Sequence, residues 1–493
     1  MKRKGSITIF LALTLSVILS LVCTSIESVR MAAARTQSLC SLDIGLFSLF
    51  GQYDKDVWKD FDLFMLDGSC GGGDLKLANL YKSMEAYVKP VLKQNSQKIS
   101  LTRGGFTGYQ LMTDEDGEVF YDQIIQYMKD TLGLQGAQFL LDHIKDGKDK
   151  TEEAKRRGTE LENGNSLDHY DTAMNSAAQS SRELEEKQRQ EAEAAAEGGA
   201  VVPVPTQPPQ NVVNPIGAIK KVMKMGLLQL VIPSGKGISE ASMGRRTLVS
   251  ERLLQRGAGV IRHVSADTSY ASQLLYHQYL TEKLGNYEKP SPYGLAYQLE
   301  YIIGGKRTDM DNLLSIAKQL LVIREGVNVA SIMSDPAKRA GIEALSLAIA
   351  STFLVPPAAG AIDAALVTCW AFAESVLDVR ELFDGGKVPL VKQPQQWQLS
   401  LENLPNLLGK LDSVRKTDPD GLSYADYLQI LLISKNRREK IKRGMDMVEL
   451  TIRGKLDRED FKLDSGVVAV EAAIDVKANK RKNFTITKQY SYD

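Results

Sequence analysis

The chain has 493 residues, 61 basic and 61 acidic side chains, 43% hydrophobic content and four cysteines. Zero net charge excludes a global basic field, so nucleic acid is not indicated as a partner. So few cysteines exclude a disulfide framework, and the length predicts two to four packed units.

Lys2, Arg3, Lys4 and Gly5 precede SITIFLALTLSVILSLVCTSI, Ser6 to Ile26, and no charge follows until Glu27. At helical rise this run covers about 30 Å, the hydrocarbon thickness of a bilayer. It is therefore predicted to span a membrane. The basic residues before it place Met1 in the cytoplasm and Glu27 onward outside. The predicted location is the cell membrane, single-pass, with the bulk of the chain extracytoplasmic. The run is longer than the core of a secretory signal, and the nearest A-x-A, Ala32-Ala33-Ala34, lies past Glu27 and Arg30. Val22, before Cys23, argues against a lipoprotein site. A retained anchor fits. So does a prepilin-type signal, in which a short basic leader is cut before the apolar helix, here between Gly5 and Ser6. Neither Pro nor Gly occurs from Ser6 to Ile44, so the helix is predicted to continue outside as a stalk.

Lys4-Gly5-Ser6-Ile7-Thr8-Ile9-Phe10, the acidic Glu27 and the Arg/Ala-rich stretch after it resemble the amino termini of tight-adherence (Tad) pilus pseudopilins of the TadE and TadG type. The match covers residues 1–50. It implies processing at Gly5 and Ser6 by a prepilin peptidase. It also implies other pilin-like or Tad-like membrane proteins, together with membrane lipid, as partners. Phe10 stands where a major pilin carries Glu, which favours the TadG-like branch and an accessory role.

Residues 51–145 read as a first exterior α+β unit. Trp58, Phe61, Leu63, Phe64 and Met65 form an apolar cluster edged by Asp54, Asp56, Asp60 and Asp62. The acids lack the alternating spacing of a calcium loop and read as a solvated rim. Asp74 to Gln94 is predicted helical. Gln97 to Tyr121 is predicted extended, with a turn at Asp114-Glu115-Asp116-Gly117, and Phe120 to Ile144 helical again. Residues 146–215 are rich in Lys, Glu, Gln, Ala and Ser and end in VVPVPTQPPQNVVNP. They read as a disordered charged and Pro-rich connector.

Residues 216–493 read as a helical exterior domain ending in β-strands. Ser234-Gly235-Lys236-Gly237 fails the phosphate-loop spacing. The uncharged run Ala344 to Ile362 is broken by Pro356 and Pro357, and Asp363 and Glu374 follow. A buried helical hairpin is predicted there rather than a second span. Arg437, Arg438, Lys440, Lys442 and Arg443 read as a solvated basic helix face. Val467 to Val476 and Phe484 to Tyr492 alternate as strands and are predicted to form a hairpin paired onto other strands. The pieces GGKRTDMDNL, LLVIREGVN, CWAFAES, DVRELFDGGKVPLVK and DGLSYADYLQILLI resemble an uncharacterised membrane-anchored protein family of low-GC Gram-positive bacteria. That resemblance implies no assigned activity.

Cys23 and Cys369 sit in apolar helices as small residues. Cys40 and Cys70 lie beyond the span and are available for a bridge, which spacing alone does not decide. His143, His169, His263 and His277 fall in no HExxH or Cys/His cluster, so no metal is indicated. Nucleophile-elbow and dinucleotide patterns are missing, as is SxxK with its partner motifs, no cofactor is implied, and the expectation is a non-enzyme. The fold class expected is mainly α with minor β (α+β): a long amino-terminal transmembrane helix continued as a stalk, a helical exterior domain, and a carboxy-terminal β-hairpin. The function expected is a membrane-anchored extracytoplasmic structural or assembly component resembling a minor pseudopilin. The alternative is a single-span surface protein binding a cell-wall polymer or peptide.

Overall fold

A computed structural model describes residues 4–94, 98–196, 212–245, 247–259, 261, 267–353, 356–412, 417–478 and 482–492. The apolar run and the residues after it form one helix, α1 (Lys4–Phe50). Helix α2 (Lys55–Phe61), strand β1 (Leu66–Asp67), α3 (Leu77–Lys93) and β2 (Ser100–Leu111) follow. Two long helices come next, α4 (Asp114–Asn163) and α5 (Ser166–Ala196). After α6 (Ile216–Met223) and α7 (Leu227–Val231) come α8 (Tyr270–Lys283), α9 (Gln298–Gly304), α10 (Asp309–Ser334), α11 (Pro336–Thr352) and α12 (Ala359–Asp384). Short α13 (Leu407–Lys410), then α14 (Tyr424–Ile433) and α15 (Arg437–Arg453), precede strands β3 (Gly466–Ala478) and β4 (Lys482–Ser491). The class is α+β and mainly helical, with the terminal hairpin in its expected place.

The chain forms two compact units. The first comprises Met1–Gly133, Arg245–Tyr279 and Arg437–Asp493. Its sheet is built around β3. Strand β2 pairs antiparallel along one edge, from Ser100 opposite Lys477 to Leu111 opposite Val467. Strand β4 and the short β1 pair antiparallel along the other. The β-branched run Val467, Val468, Val470, Ile474 and Val476 is buried, as a central strand requires. Against the sheet lie the second half of α1, through Ala34, Leu42, Leu46 and Leu49, and α3, through Leu80, Met84 and Val88. Gly45 lets these two helices meet, because a Cβ there would stand 2.3 Å from the Val88 side chain.

The second unit comprises Leu134–Gly244 and Leu280–Asn436. Helix α12 is its axis. Residues from Ala365 to Phe383 are buried almost all round, the signature of a core helix surrounded by others. Helices α10, α11 and α5 pack on it. Helix α12 is long and apolar enough to cross a membrane, yet 72% of its apolar window is buried inside this unit. The predicted hairpin corresponds to α11 and α12, but only α12 is buried: α11 buries Ile342, Ser346, Ile349 and Ala350 and leaves Leu347 exposed.

Four sequence readings need correction. The connector 146–215 is helical through 146–163 and 166–196, and parts of it are buried. On α5, Tyr170 and Ala177 are buried, Ser166 Oγ is 2.9 Å from Thr368 Oγ1, and Tyr170 Oη accepts from Asn214 Nδ2 at 2.8 Å. Tyr170, Ala173, Met174 and Ala177 supply a narrow helical stripe that composition hides. The Pro-rich residues 201–211 lie outside the described residues. Second, residues 216–493 are not one domain, because β3 returns to complete the first unit's sheet. Third, Gln97 to Tyr121 is not extended throughout: β2 ends at Leu111 and α4 is entered at Asp114, with the expected turn at that entry, where Glu115, Asp116 and Gly117 have φ of 57°, 58° and 89°. The Asp114 carboxylate accepts from Leu111 N at 2.7 Å and Gly257 N at 2.9 Å. Fourth, the basic stretch on α15 is not a solvated face. Arg437 Nη1 pairs with Glu118 Oε1 at 2.6 Å, and Lys440 is 1% exposed with its amine 2.6 Å from His277 Nε2. Burial pushes that amine down to about 8. Lys440 is held inside because Ile441, Met445 and Val448 on the same helix are core residues.

The acidic rim around Trp58 is structural. Asp54 caps α2 by accepting from the Asp56 and Val57 N–H groups at 3.1 Å, and Arg458 pairs with it. Lys455 pairs with Asp56 and Asp60. Among the described residues no group of His, Cys, Asp and Glu could hold a metal ion.

Candidate functional site

The second unit buries an ionic cluster. Glu374 and Asp378 lie four apart on α12 and therefore on one face. Two buried carboxylates so placed repel, and they are retained only with cations beside them. Arg324, on α10, supplies one. Its Nε donates to Asp378 Oδ2 at 2.9 Å, and its Nη1 donates to the Pro389 and Leu390 carbonyls and to Tyr427 Oη at 2.8, 2.9 and 3.0 Å. Lys392 supplies the other, its amine contacting both Glu374 and Asp378. Asn328 Nδ2 adds donations to Ser375 Oγ at 2.9 Å and Asp378 at 3.1 Å. The four charges cancel, and all four side chains are at most 2% exposed.

Burial and the neighbouring charges act differently on the two acids. Burial raises Glu374, helped by Asp378 and opposed by Lys392. Burial would also raise Asp378, but the Arg324 and Lys392 charges outweigh it and hold that carboxyl low. Glu374 also accepts from the Gln398 and Leu399 N–H groups at 2.9 and 3.0 Å. The cluster thus fastens the whole segment 389–399 to α10 and α12.

Two indoles close one side. Trp370 Nε1 donates to the Leu399 carbonyl at 2.9 Å, and the Trp370 and Trp397 rings meet edge-on at 5.3 Å. The Lys338 amine rests 3.4 Å from the Trp397 ring centre and 3.4 Å from Ser331 Oγ. Burial pulls that amine down to about 8, against the opposing Asp335 and Glu374 charges.

Beside Lys392 lies a cavity of about 500 Å³, walled by α4, α10 and residues 391–394. Its size suits a small ligand. Its wall includes Arg157, Ser331 and Lys392. Serine beside a depressed lysine invites a nucleophile–base reading. The geometry opposes it. Ser331 Oγ is also in contact with Trp397 Nε1 at 3.3 Å, and the amine sits on the indole face. The N–H groups of Ala337 and Lys338, which might otherwise stabilise an oxyanion, are taken by the Asp335 carboxylate. The arrangement is built to hold a loop in place.

Two further buried acids in this unit, Glu300 and Glu325, are held above the usual carboxylate range. Glu300 accepts from Tyr287 N and Tyr424 Oη, both at 2.8 Å, and burial lifts its carboxyl to about 7. Burial, with Glu162 nearby, lifts Glu325 to about 8. An acid raised on folding contributes fully below its unfolded pKa and loses that contribution as pH rises through the folded one. Glu300 should therefore destabilise the second unit between about pH 5 and pH 8, by roughly 3 kcal/mol at the upper end. Glu300→Gln is expected to flatten that part of the urea-unfolding profile between pH 5 and pH 8.5. An unchanged slope would show that Glu300 does not titrate there.

The residues singled out at the amino terminus are placed as follows. Lys4 opens α1, and Gly5 and Ser6 lie in its first turn. Lys2 and Arg3 lie outside the described residues. Cys40 and Cys70 are both free and exposed. The buried ions were missed as a site, although Arg324 lies in LLVIREGVN, Glu374 in CWAFAES, and Asp378 and Lys392 in DVRELFDGGKVPLVK. The signal was charge inside otherwise apolar helices: an Arg in LLVIREGVNVA, and two acids four apart in CWAFAESVLD.

No match was found among curated proteins or among solved structures. The model of a family of unknown function, DUF5702, matches residues 205–478, which contain the whole buried ionic cluster and strand β3. That match spans more than half of the sequence, so the chain belongs to the DUF5702 family.

Proposed function

We propose that the chain is a membrane-anchored extracytoplasmic structural or assembly component, resembling a minor pseudopilin of a Tad-like pilus or secretion system. The observation that carries this reading is the continuity of α1. Its first half, Ile7 to Ile26, is apolar and exposed, with hydropathy sufficient for a span. Its second half is core of the first unit. A helix embedded in lipid by the first half would be joined without a hinge to a folded unit by the second. Such a joint transmits position and force, which is what an assembly component needs and a soluble enzyme does not. The basic residues Lys2, Arg3 and Lys4 set the amino terminus in the cytoplasm. Partners in this reading are other pilin-like membrane proteins, lipid, and a prepilin peptidase acting at Gly5 and Ser6.

Alkaline extraction of membranes followed by amino-terminal sequencing tests it. The expected result is a membrane-retained chain beginning at Ser6. Retention with Met1 intact, in cells that process other prepilins, overturns the pilin-type reading and leaves a single-span surface protein. Release into the soluble fraction overturns the anchor itself.

A further inference from the structure

Strand β2 ends where α4 begins, and a cavity of about 690 Å³ opens beside that junction. Its walls are the turn at 113–116, the segment 249–259 and α15 at Lys442 and Met445, all parts of the first unit. The walls are tied together. Tyr109 and Ala258 exchange N–H···O bonds of 2.8 and 3.0 Å, and Gln255 N donates to Asp464 at 3.1 Å. Arg252 pairs with Glu449 and Asp464, both at 2.6 Å. A Cβ at Gly117 would stand 2.7 Å from both the Ile441 and the Met445 side chains, so the turn sits directly on α15.

The anomaly is what these walls leave unpaired. Lys442 and Asp116 both line the cavity, and neither makes an ion pair or hydrogen bond among the described residues. Two such charges alone would be ordinary surface groups. Thr113 sets the place apart. It is 3% exposed and lines the same cavity, and its hydroxyl has no hydrogen-bond partner among the described residues. The same holds for Arg252 Nε, although the rest of that guanidinium is paired. A buried polar group without a partner is unfavourable, and native proteins keep few of them. The segment 249–259 also offers main chain. Leu253 and Leu254 make no backbone hydrogen bond among the described residues, and the Leu253 side chain is 93% exposed.

We propose that this cavity binds a short peptide carrying a free carboxylate and a free amine. Lys442 takes the carboxylate, with the Thr113 hydroxyl and Arg252 Nε as further donors. Asp116 takes the amine. The peptide main chain runs along Leu253 and Leu254. A metal ion is a poorer occupant, because no group of ligands for one exists among the described residues. A simple anion would leave Asp116 unmatched, and an apolar ligand would leave Lys442 and Thr113 so. The volume lies within the range of small-ligand sites. The proposal does not depend on how the chain is anchored.

Isothermal titration calorimetry of the full-length chain in detergent micelles tests it, with tetra-alanine as the probe. The expected result is saturable binding of one peptide per chain. Lys442→Gln and Asp116→Asn should each weaken it about fivefold, the most that a part-exposed ion pair contributes. Both side chains are at least partly exposed, so thermal unfolding should not change. Altering the peptide tests the same contacts without touching the protein. The amidated peptide should bind more weakly and lose its dependence on Lys442, and the acetylated peptide its dependence on Asp116. No heat up to about 5 mM peptide overturns the proposal. So does equal binding of the doubly blocked peptide. Displacement of the peptide by inorganic phosphate at equal concentration would show a plain anion site, and also overturns it.

Discussion

Replacing Arg324 with Met is expected to cost the second unit about 3–5 kcal/mol, the range for removing one partner of a buried ion pair. The reason is the state left behind. Asp378 would keep Lys392, but Lys392 already serves Glu374, so two buried carboxylates would share one ammonium. The carbonyls of Pro389 and Leu390 and the Tyr427 hydroxyl would lose a donor in a site closed to water. The second change Asp378→Asn restores neutrality, since Lys392 and Glu374 then balance. It should recover at least half of the loss. A double-mutant cycle read by urea unfolding measures the coupling. A single-variant loss below about 1 kcal/mol would mean the ions contribute little beyond their volume. The segment 389–399 should also open in the Arg324→Met variant, seen as faster amide exchange at Gln398 and Leu399. Those N–H groups are held by Glu374, whose partner Lys392 would then have to balance both carboxylates without Arg324.

Replacing Gly326 with Ala is expected to cost about 2–3 kcal/mol, the upper part of the range for overpacking a core. In an unobstructed helix the same change gains about 1 kcal/mol. The sign reverses because the added Cβ would stand 1.8 Å from the Ala154 carbonyl oxygen on α4. That obstacle is backbone and cannot rotate away. The crossing is reciprocal, since a Cβ at Gly158 on α4 would stand 2.0 Å from the Val322 carbonyl oxygen on α10. Helices α4 and α10 thus touch backbone to backbone, and the cavity beside Lys392 is walled partly by this contact. Gly360, on α12, is the control. A Cβ there meets nothing within 4 Å, so Gly360→Ala should be neutral or mildly stabilising. Thermal unfolding of the two variants against the parent decides the matter. Equal behaviour would place α4 further from α10 than the structure does.

These two sites show where the sequence was legible. The apolar run, the continuation of its helix and the terminal strands announced themselves through large apolar residues at clear periods, but the continuation is core of the first unit rather than a stalk. The hairpin of α11 and α12 announced itself in the same way, where two prolines shorten the uncharged run. What escaped notice is built from small or charged residues. Thr151, Ala154 and Gly158 form a buried stripe on α4, but threonine, alanine and glycine carry little weight in a hydropathy pattern. Composition therefore suggested disorder where close helix contact exists. A basic run such as Arg437 to Arg443 usually lies in solvent, and only the core residues around Lys440 reveal that it does not. The ionic cluster was hidden for a different reason. Glu374 and Asp378 were visible as acids in an apolar helix, but Arg324 lies 54 positions before Asp378, and a sequence does not say which distant cation answers a buried carboxylate.

The place of β3 has a consequence for how the chain comes into being. Each of the other three strands pairs with β3, and β3 starts at Gly466. During synthesis β1 and β2 emerge first, yet they have no partner in that sheet until Gly466–Ala478 has been made. The parts of α1 and α3 that pack on the sheet stay uncovered for the same interval. The second unit lies between these halves and has all of its residues available earlier. Since residues arrive in order during synthesis, the first unit is thus completed after the second. A chain released short of Gly466 would carry a finished second unit on a tether with unpaired strands. The closing strand joins segments that lie more than 350 positions apart, Ser100–Leu111 and Gly466–Ala478, so the sheet cannot form before both have been made.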